Sequence, residues 1–117
     1  MVMFVTDDHW MESEPFHTWV VLATAEMCAD NIEHKDKWDN INAILYEFAG
    51  LLYAMREESP SKPIDAASRA IVLFVAHMVS DHGLPAEDLE RTFGAVGFLS
   101  KFCSIMLRHE IETQTRN

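Results

Sequence analysis

The alternation of apolar and polar positions predicts four helices. The longest apolar segment, residues 66–79, reads A-A-S-R-A-I-V-L-F-V-A-H-M-V. Its β-branched and aromatic middle would suit a strand. However, no Gly or Pro interrupts residues 64–82, and buried strands usually run only about 4–8 residues. Pro63 before the segment and Gly83 after it are typical of the two ends of a helix. We therefore predict a central apolar helix over about 64–81, enclosed by the rest of the chain.

Three further helices are predicted around this one. The first covers 15–33, the second follows an N-cap at Asp36 and ends near residue 57, and the fourth covers 85–112. In the second helix, apolar residues recur at alternating intervals of three and four, which is typical of bundle packing. This heptad seam consists of Trp38, Ile41, Leu45, Phe48, Leu52 and Met55.

Four helices joined by short links predict an all-α fold. We expect a four-helix bundle with up-down-up-down topology or a close variant of it. Residues 14–112 would form this single domain, with a short N-terminal arm over 1–13 and a frayed tail over 113–117. A chain of 117 residues is long enough to bury a cooperative core without disulfides or a structural metal.

The first and fourth helices are apolar on more than one side. In the first helix, one spaced stripe is Val21, Ala25, Cys28 and Ile32, and a second is Phe16, Val20 and Met27. In the fourth helix, we assign the core to Leu89, Phe93, Val96, Cys103 and Leu107. Phe98, Phe102 and Ile105 lie on nearly the opposite side. They predict either an exposed patch for self-association or a helix with neighbours on both sides.

The net charge of −10 limits the classes of partner. The nine basic residues are scattered along the chain, so no basic stripe exists to neutralise phosphates. Direct binding to nucleic acid or to an anionic membrane is therefore not expected. A protein partner with a basic surface is allowed by the charge. The simpler interpretation is that the acidity only maintains solubility.

Acidic residues cluster on one predicted face of the first helix and beyond it. Helix spacing places Glu26, Asp30 and Glu33 on that face beside Trp19, and Asp36 and Asp39 extend the acidity past the turn. A solvated face is the ordinary explanation of such a run. The functional alternative is an acidic inhibitor or nucleic-acid mimic that blocks a basic nucleic-acid-binding groove, of the kind phages direct at host defence.

Catalytic and metal-binding patterns are incomplete. Ser80, Asp81 and His82 are consecutive, and consecutive residues do not align a nucleophile, a base and an orienting acid. His77 and Asp81 are one turn apart, but two ligands are too few for a metal site. We therefore predict no catalytic residues, no metal and no cofactor. A metal-dependent bundle enzyme that uses His77 and Asp81 is the least favoured alternative.

These observations lead to one preferred function. We expect a non-enzymatic protein–protein interaction domain that forms a homodimer through the aromatic residues of the fourth helix. The N-terminal residues lack the basic and apolar regions of a signal peptide. Cys28 and Cys103 lie within apolar helical patterns and suit buried free thiols in a reducing compartment, so the cytoplasm is the expected location.

Overall fold

The computed structural model describes residues 14–81 and 89–115, and these residues contain four α-helices and no strand. The helices are α1 (Glu14–Asp30), α2 (Trp38–Glu58), α3 (Pro63–Asp81) and α4 (Leu89–Thr115), and a 3-10 segment (Ile32–Lys37) joins α1 to α2. The predicted N-terminal arm lies outside the described residues. Because α4 continues to Thr115, the predicted frayed tail is helical over 113–115.

The four helices form a closed ring in which each is antiparallel to its neighbours. Helices that are consecutive along the chain pack against each other, and α1 packs against α4. Several contacts join the early part of one helix to the late part of its neighbour: Phe16 with Tyr53, Glu47 with His77, and Trp19 with Thr113. This arrangement confirms the predicted all-α four-helix bundle.

The heptad seam of α2 faces the centre of the bundle. Leu45, Phe48 and Leu52 are buried there. The Phe48 ring meets the rings of Phe74 from α3 and Phe102 from α4 edge-on, with centroids 5.4 and 5.9 Å apart. Edge-to-face packing is favourable because it brings the positive edge of one ring to the negative face of another. Three aromatic residues from three helices therefore form the middle of the core.

The inward face of α4 differs from the predicted one, although Val96 and Cys103 of the predicted stripe pack against the core. Phe102 is fully buried, Ile105 is buried, and Phe98 packs against the core, whereas Phe93 is 70% exposed. The prediction that Phe98, Phe102 and Ile105 form an exposed patch for self-association is therefore wrong. These side chains fill the core of their own chain, where Phe102 contacts Phe48.

The apolar helix α3 is a member of the ring and not its centre, which corrects the sequence prediction. Ala66, Ala70 and Phe74 are buried, but Ile64 and Val72 on the other side are largely exposed. A ring of four helices has no central position, so each helix keeps one face toward solvent. Within the described residues, α3 is the one helix long and apolar enough to cross a membrane, which by itself is weak evidence of a span.

Candidate functional site

The outward side of α1 carries an uncharged, mostly apolar strip. We call it the α1 outer face, and it consists of Thr18, Val21, Leu22, Ala25 and Ala29. Val21 is 39% exposed and Leu22 is 42% exposed, and the other three residues are also exposed. The 3-10 segment extends the strip with Ile32, which is 58% exposed. These strip residues carry no charge, and Glu26, whose side chain is 39% exposed and pairs with Arg108, is close to them on α1.

This strip is exposed because α1 is apolar all round and has only two neighbouring helices. Its inner side is buried against α2 and α4: Phe16, Trp19, Val20, Ala23 and Met27. Residues three and four apart share one side of a helix, so the two apolar sides each form a continuous stripe. Only one of them can face the bundle. A surface helix normally presents charged or polar residues on its outer side.

Charge pairs join the edge of α1 to α4. Arg108 binds the carboxylate of Glu26, and His109 Nε2 lies 3.1 Å from Glu26 Oε1. One turn further along α1, Lys101 Nζ is 2.6 Å from Asp30 Oδ2. Each exposed pair of this kind is worth at most about 1 kcal/mol. The larger apolar side chains, which include Phe16, Trp19 and Met27, lie on the inner side, so burying that side removes more apolar surface from water, and the ion pairs add only a small contribution.

The six residues of the predicted acidic face do not share one free surface. Trp19 is buried, and its Nε1 donates to Thr113 Oγ1 at 3.4 Å. Glu26 and Asp30 are paired with basic groups of α4. Three acids are exposed on the 3-10 segment and the first turn of α2: Glu33, Asp36 and Asp39. Trp19 is therefore not an exposed anchor, which corrects that prediction.

A second uncharged patch lies on the diagonally opposite helix. Val72, Leu73 and Ala76 are exposed on the second half of α3. The first half of the same side carries exposed charges, Asp65 and Arg69. This patch is consequently shorter than the α1 outer face and is bordered by ionised groups.

The residues proposed for a metal-dependent enzyme are not gathered into a ligand set. His77 Nε2 lies 3.4 Å from Glu47 Oε1 of α2. The side chain of Asp81 is outside the described part of the structure. Across residues 14–81 and 89–115, no group of three or more His, Cys, Asp or Glu side chains is placed to hold a metal ion.

A largely buried ion pair joins α2 to α4 near the start of α1, and it was not predicted. Arg56 Nη2 donates to Glu110 Oε2 at 2.6 Å, and the guanidinium lies 5.8 and 5.7 Å from the ring centroids of Phe16 and Trp19. Glu110 is 8% exposed. The two residues are 54 positions apart, so periodicity within one helix gives no signal of the pair.

Both cysteines are free, and neither has the properties of a nucleophile. Burial raises the pKa of the Cys28 thiol. Burial also raises the pKa of Cys103 to about 12, although the nearby Arg56 charge acts in the opposite direction. The thiolate is the reactive form of cysteine. Both side chains therefore stay protonated at neutral pH and behave as small apolar groups.

The chain matches no protein-family model, and neither the curated proteins nor the solved structures include one detectably similar to it.

Proposed function

We propose that this protein is a non-enzymatic interaction domain that self-associates through the α1 outer face. The observation that supports the proposal is the exposed, uncharged strip of the α1 outer face, in a chain of net charge −10. Contiguous exposed apolar surface is typical of binding sites. The proposed contact differs from the predicted one, because Phe102 and Ile105 are buried and Phe98 packs against the core.

A second copy is the partner that suits this strip. Two molecules of charge −10 repel each other, and a contact through uncharged faces keeps their acidic groups apart. In an antiparallel pairing with the two-fold axis at Ala25, Val21 of one copy lies opposite Ala29 of the other. Two-fold symmetry repeats this contact, so the larger side chain meets the smaller one twice. Alanines four residues apart also allow two helices to approach closely.

The size of the strip indicates weak association. The 17 residues of α1 span about 26 Å, at about 1.5 Å per residue. One helix face of that length falls below the roughly 800 Å² per partner of a standard interface. We therefore expect a concentration-dependent dimer and not a permanent one. The cytoplasm is the proposed location, since the free thiols suit a reducing compartment.

Sedimentation velocity over a range of concentrations tests the proposal. The wild type should shift from monomer to dimer as its concentration rises. Leu22→Lys should stay monomeric, because a buried ammonium without a partner opposes association. Val72→Lys is the matched control, since Val72 is also an exposed apolar residue, and it should dimerise like the wild type. A wild type that stays monomeric throughout, or equal loss in the two variants, would contradict the proposal.

The acidic groove-blocking inhibitor stays a prediction without structural support. It relied on five acids acting together with Trp19. Two of those acids are paired within the chain, and the tryptophan is buried.

A further inference from the structure

A cavity of about 210 Å³ opens between the end of α2, the first half of α3 and the middle of α4. Its inner wall is apolar and includes the buried side chains of Leu52, Ile71 and Met106. Exposed serines, Ser100 and Ser104, lie at its mouth. Within the described part of the chain, no residue of α1 lines the cavity, so it is separate from the α1 outer face.

The cavity exists because small side chains of α3 and α4 face it. Ala67 and Ser68 line it from α3, and Ser100, Cys103 and Ser104 line it from α4. Protein interiors contain few spaces larger than a water molecule, and apolar walls beside such a space lose dispersion contacts. A buried water typically makes about three hydrogen bonds, which an apolar inner wall does not provide. An apolar molecule that fits the cavity therefore gains contacts that water does not.

The lining offers no free counterion to a charged ligand. Among the described residues that line the cavity, Arg56 is the only one that is ionised, although the chain has 19 acidic residues. Its charge is balanced by Glu110, whose Oε2 lies 2.6 Å from Nη2. Burial raises the pKa of Cys103 to about 12, so this thiol is neutral at neutral pH. Burying an ionised group without a counterion is unfavourable, so the lining favours an uncharged ligand.

The volume sets the size of the ligand. A dry protein cavity of about 150 Å³ with a Leu, Ile and Phe lining is large enough to bind benzene. This cavity is larger, so a benzene ring with a methyl substituent fits. It is smaller than the roughly 300 Å³ at which pockets for drug-sized ligands begin, so a larger molecule would not be enclosed.

We propose that this cavity binds a compact, uncharged hydrocarbon of about the size of toluene, packed against Leu52, Ile71 and Met106. Binding removes the apolar surfaces of the ligand and of the inner wall from water, and it needs no hydrogen bond to the protein. The site is independent of the proposed self-association, because it lies between α2, α3 and α4 and the proposed interface lies on α1.

Methyl NMR of the full-length protein tests the site with toluene as the probe. The methyl signals of Leu52, Ile71 and Met106 should shift saturably as toluene is added. Those of Leu45, which is buried but does not line the cavity, should not. Benzoate and benzylammonium carry the same ring with a charged head, and each should bind at least about tenfold more weakly than toluene.

Three variants separate the cavity from adsorption elsewhere on the protein. Ser104→Trp fills the mouth and should abolish the shifts, whereas Ser80→Trp, on an exposed serine away from the cavity, should keep them. Leu22→Lys should also keep them, whether or not it prevents dimerisation, because Leu22 lies on the α1 outer face. A loss of toluene binding in Leu22→Lys would therefore place the probe on α1 and overturn the proposal.

Other outcomes would overturn it as well. Binding that survives Ser104→Trp would show that toluene lies elsewhere. Cavity methyl signals that move with protein concentration alone would show that a second copy of the chain occupies the cavity. Equal binding of either charged probe, or no saturable shift with toluene, would contradict the proposal in the wild type itself. The comparison of probes therefore decides the question even if a variant is unstable.

Discussion

Arg56 and Glu110 form an ion pair, with 2.6 Å between Nη2 and Oε2, that joins the diagonal helices α2 and α4. The side chains are 21% and 11% exposed. A charge so nearly enclosed depends on its partner, because it has little access to water. The pair also places the guanidinium over Phe16 and Trp19, so it links α1 to the same end of the bundle.

Removal of the arginine should be strongly destabilising. Arg56→Ala leaves the Glu110 carboxylate buried without a cation. We expect the free energy of unfolding to fall by about 3–5 kcal/mol, as measured by urea denaturation. Arg56→Met/Glu110→Leu removes both charges and keeps apolar volume, so it should be more stable than Arg56→Ala alone. If the free energy of unfolding falls as much in the double variant as in Arg56→Ala, or more, the two residues are not energetically coupled.

Alanine at Gly97 should stabilise α4. Gly97 lies within the helix, and a Cβ added there meets no atom within 4 Å. Glycine in a helix costs roughly 0.5–1 kcal/mol relative to alanine, largely through the entropy of the unfolded chain. Gly97→Ala should therefore raise the free energy of unfolding by about that amount. Ser100→Gly, at an exposed site one turn further along α4, is the control and should lower the free energy of unfolding. A decrease for Gly97→Ala would show that a side chain does not fit at position 97.

The Cys103 thiol should make the fold sensitive to alkali. Burial raises its pKa from 9.0 to about 12, so the unfolded chain loses this proton first. The stabilisation is fully present below about pH 9 and is lost as pH rises toward 12. Near pH 10.5, the titration of Cys103 should lower the free energy of unfolding by about 2 kcal/mol. Urea denaturation of the wild type and of Cys103→Ala at pH 8 and 10.5 measures this decrease. If the free energy of unfolding falls equally in both proteins, Cys103 is not its cause.

The number and type of helices could be predicted because each carries local signals. Prolines and glycines mark the boundaries, and the seam of α2 has a single apolar side, so Leu45 and Phe48 were placed correctly in the core. The position of α3 could not be predicted from its apolarity. A helix that is apolar all round fits a central position or one side of a ring, and sequence periodicity does not separate the two.

The faces that α1 and α4 turn toward the bundle could not be predicted from periodicity. Each of these helices is apolar on more than one side, so spacing within one helix does not show which side is buried. In α4, the predicted core included Phe93, which is 70% exposed, whereas Phe102 and Ile105 are buried. In α1, neither apolar stripe was assigned to solvent, and the structure leaves Val21 and Ala25 exposed.

Disulfide cross-linking at Ala25 tests the proposed self-association most directly. In an antiparallel pair of α1 helices with the axis at Ala25, the two copies of this residue lie opposite each other. Cys28 is buried and Cys103 is partly buried, and burial raises the pKa of both thiols, so the wild-type background is suitable. Ala76→Cys, on the exposed side of α3, is the matched control. Mild oxidation should convert Ala25→Cys to a covalent dimer and leave Ala76→Cys mostly monomeric. A dimer that forms equally in both variants, or only through Ala76→Cys, would contradict the assignment of the α1 outer face as the interface.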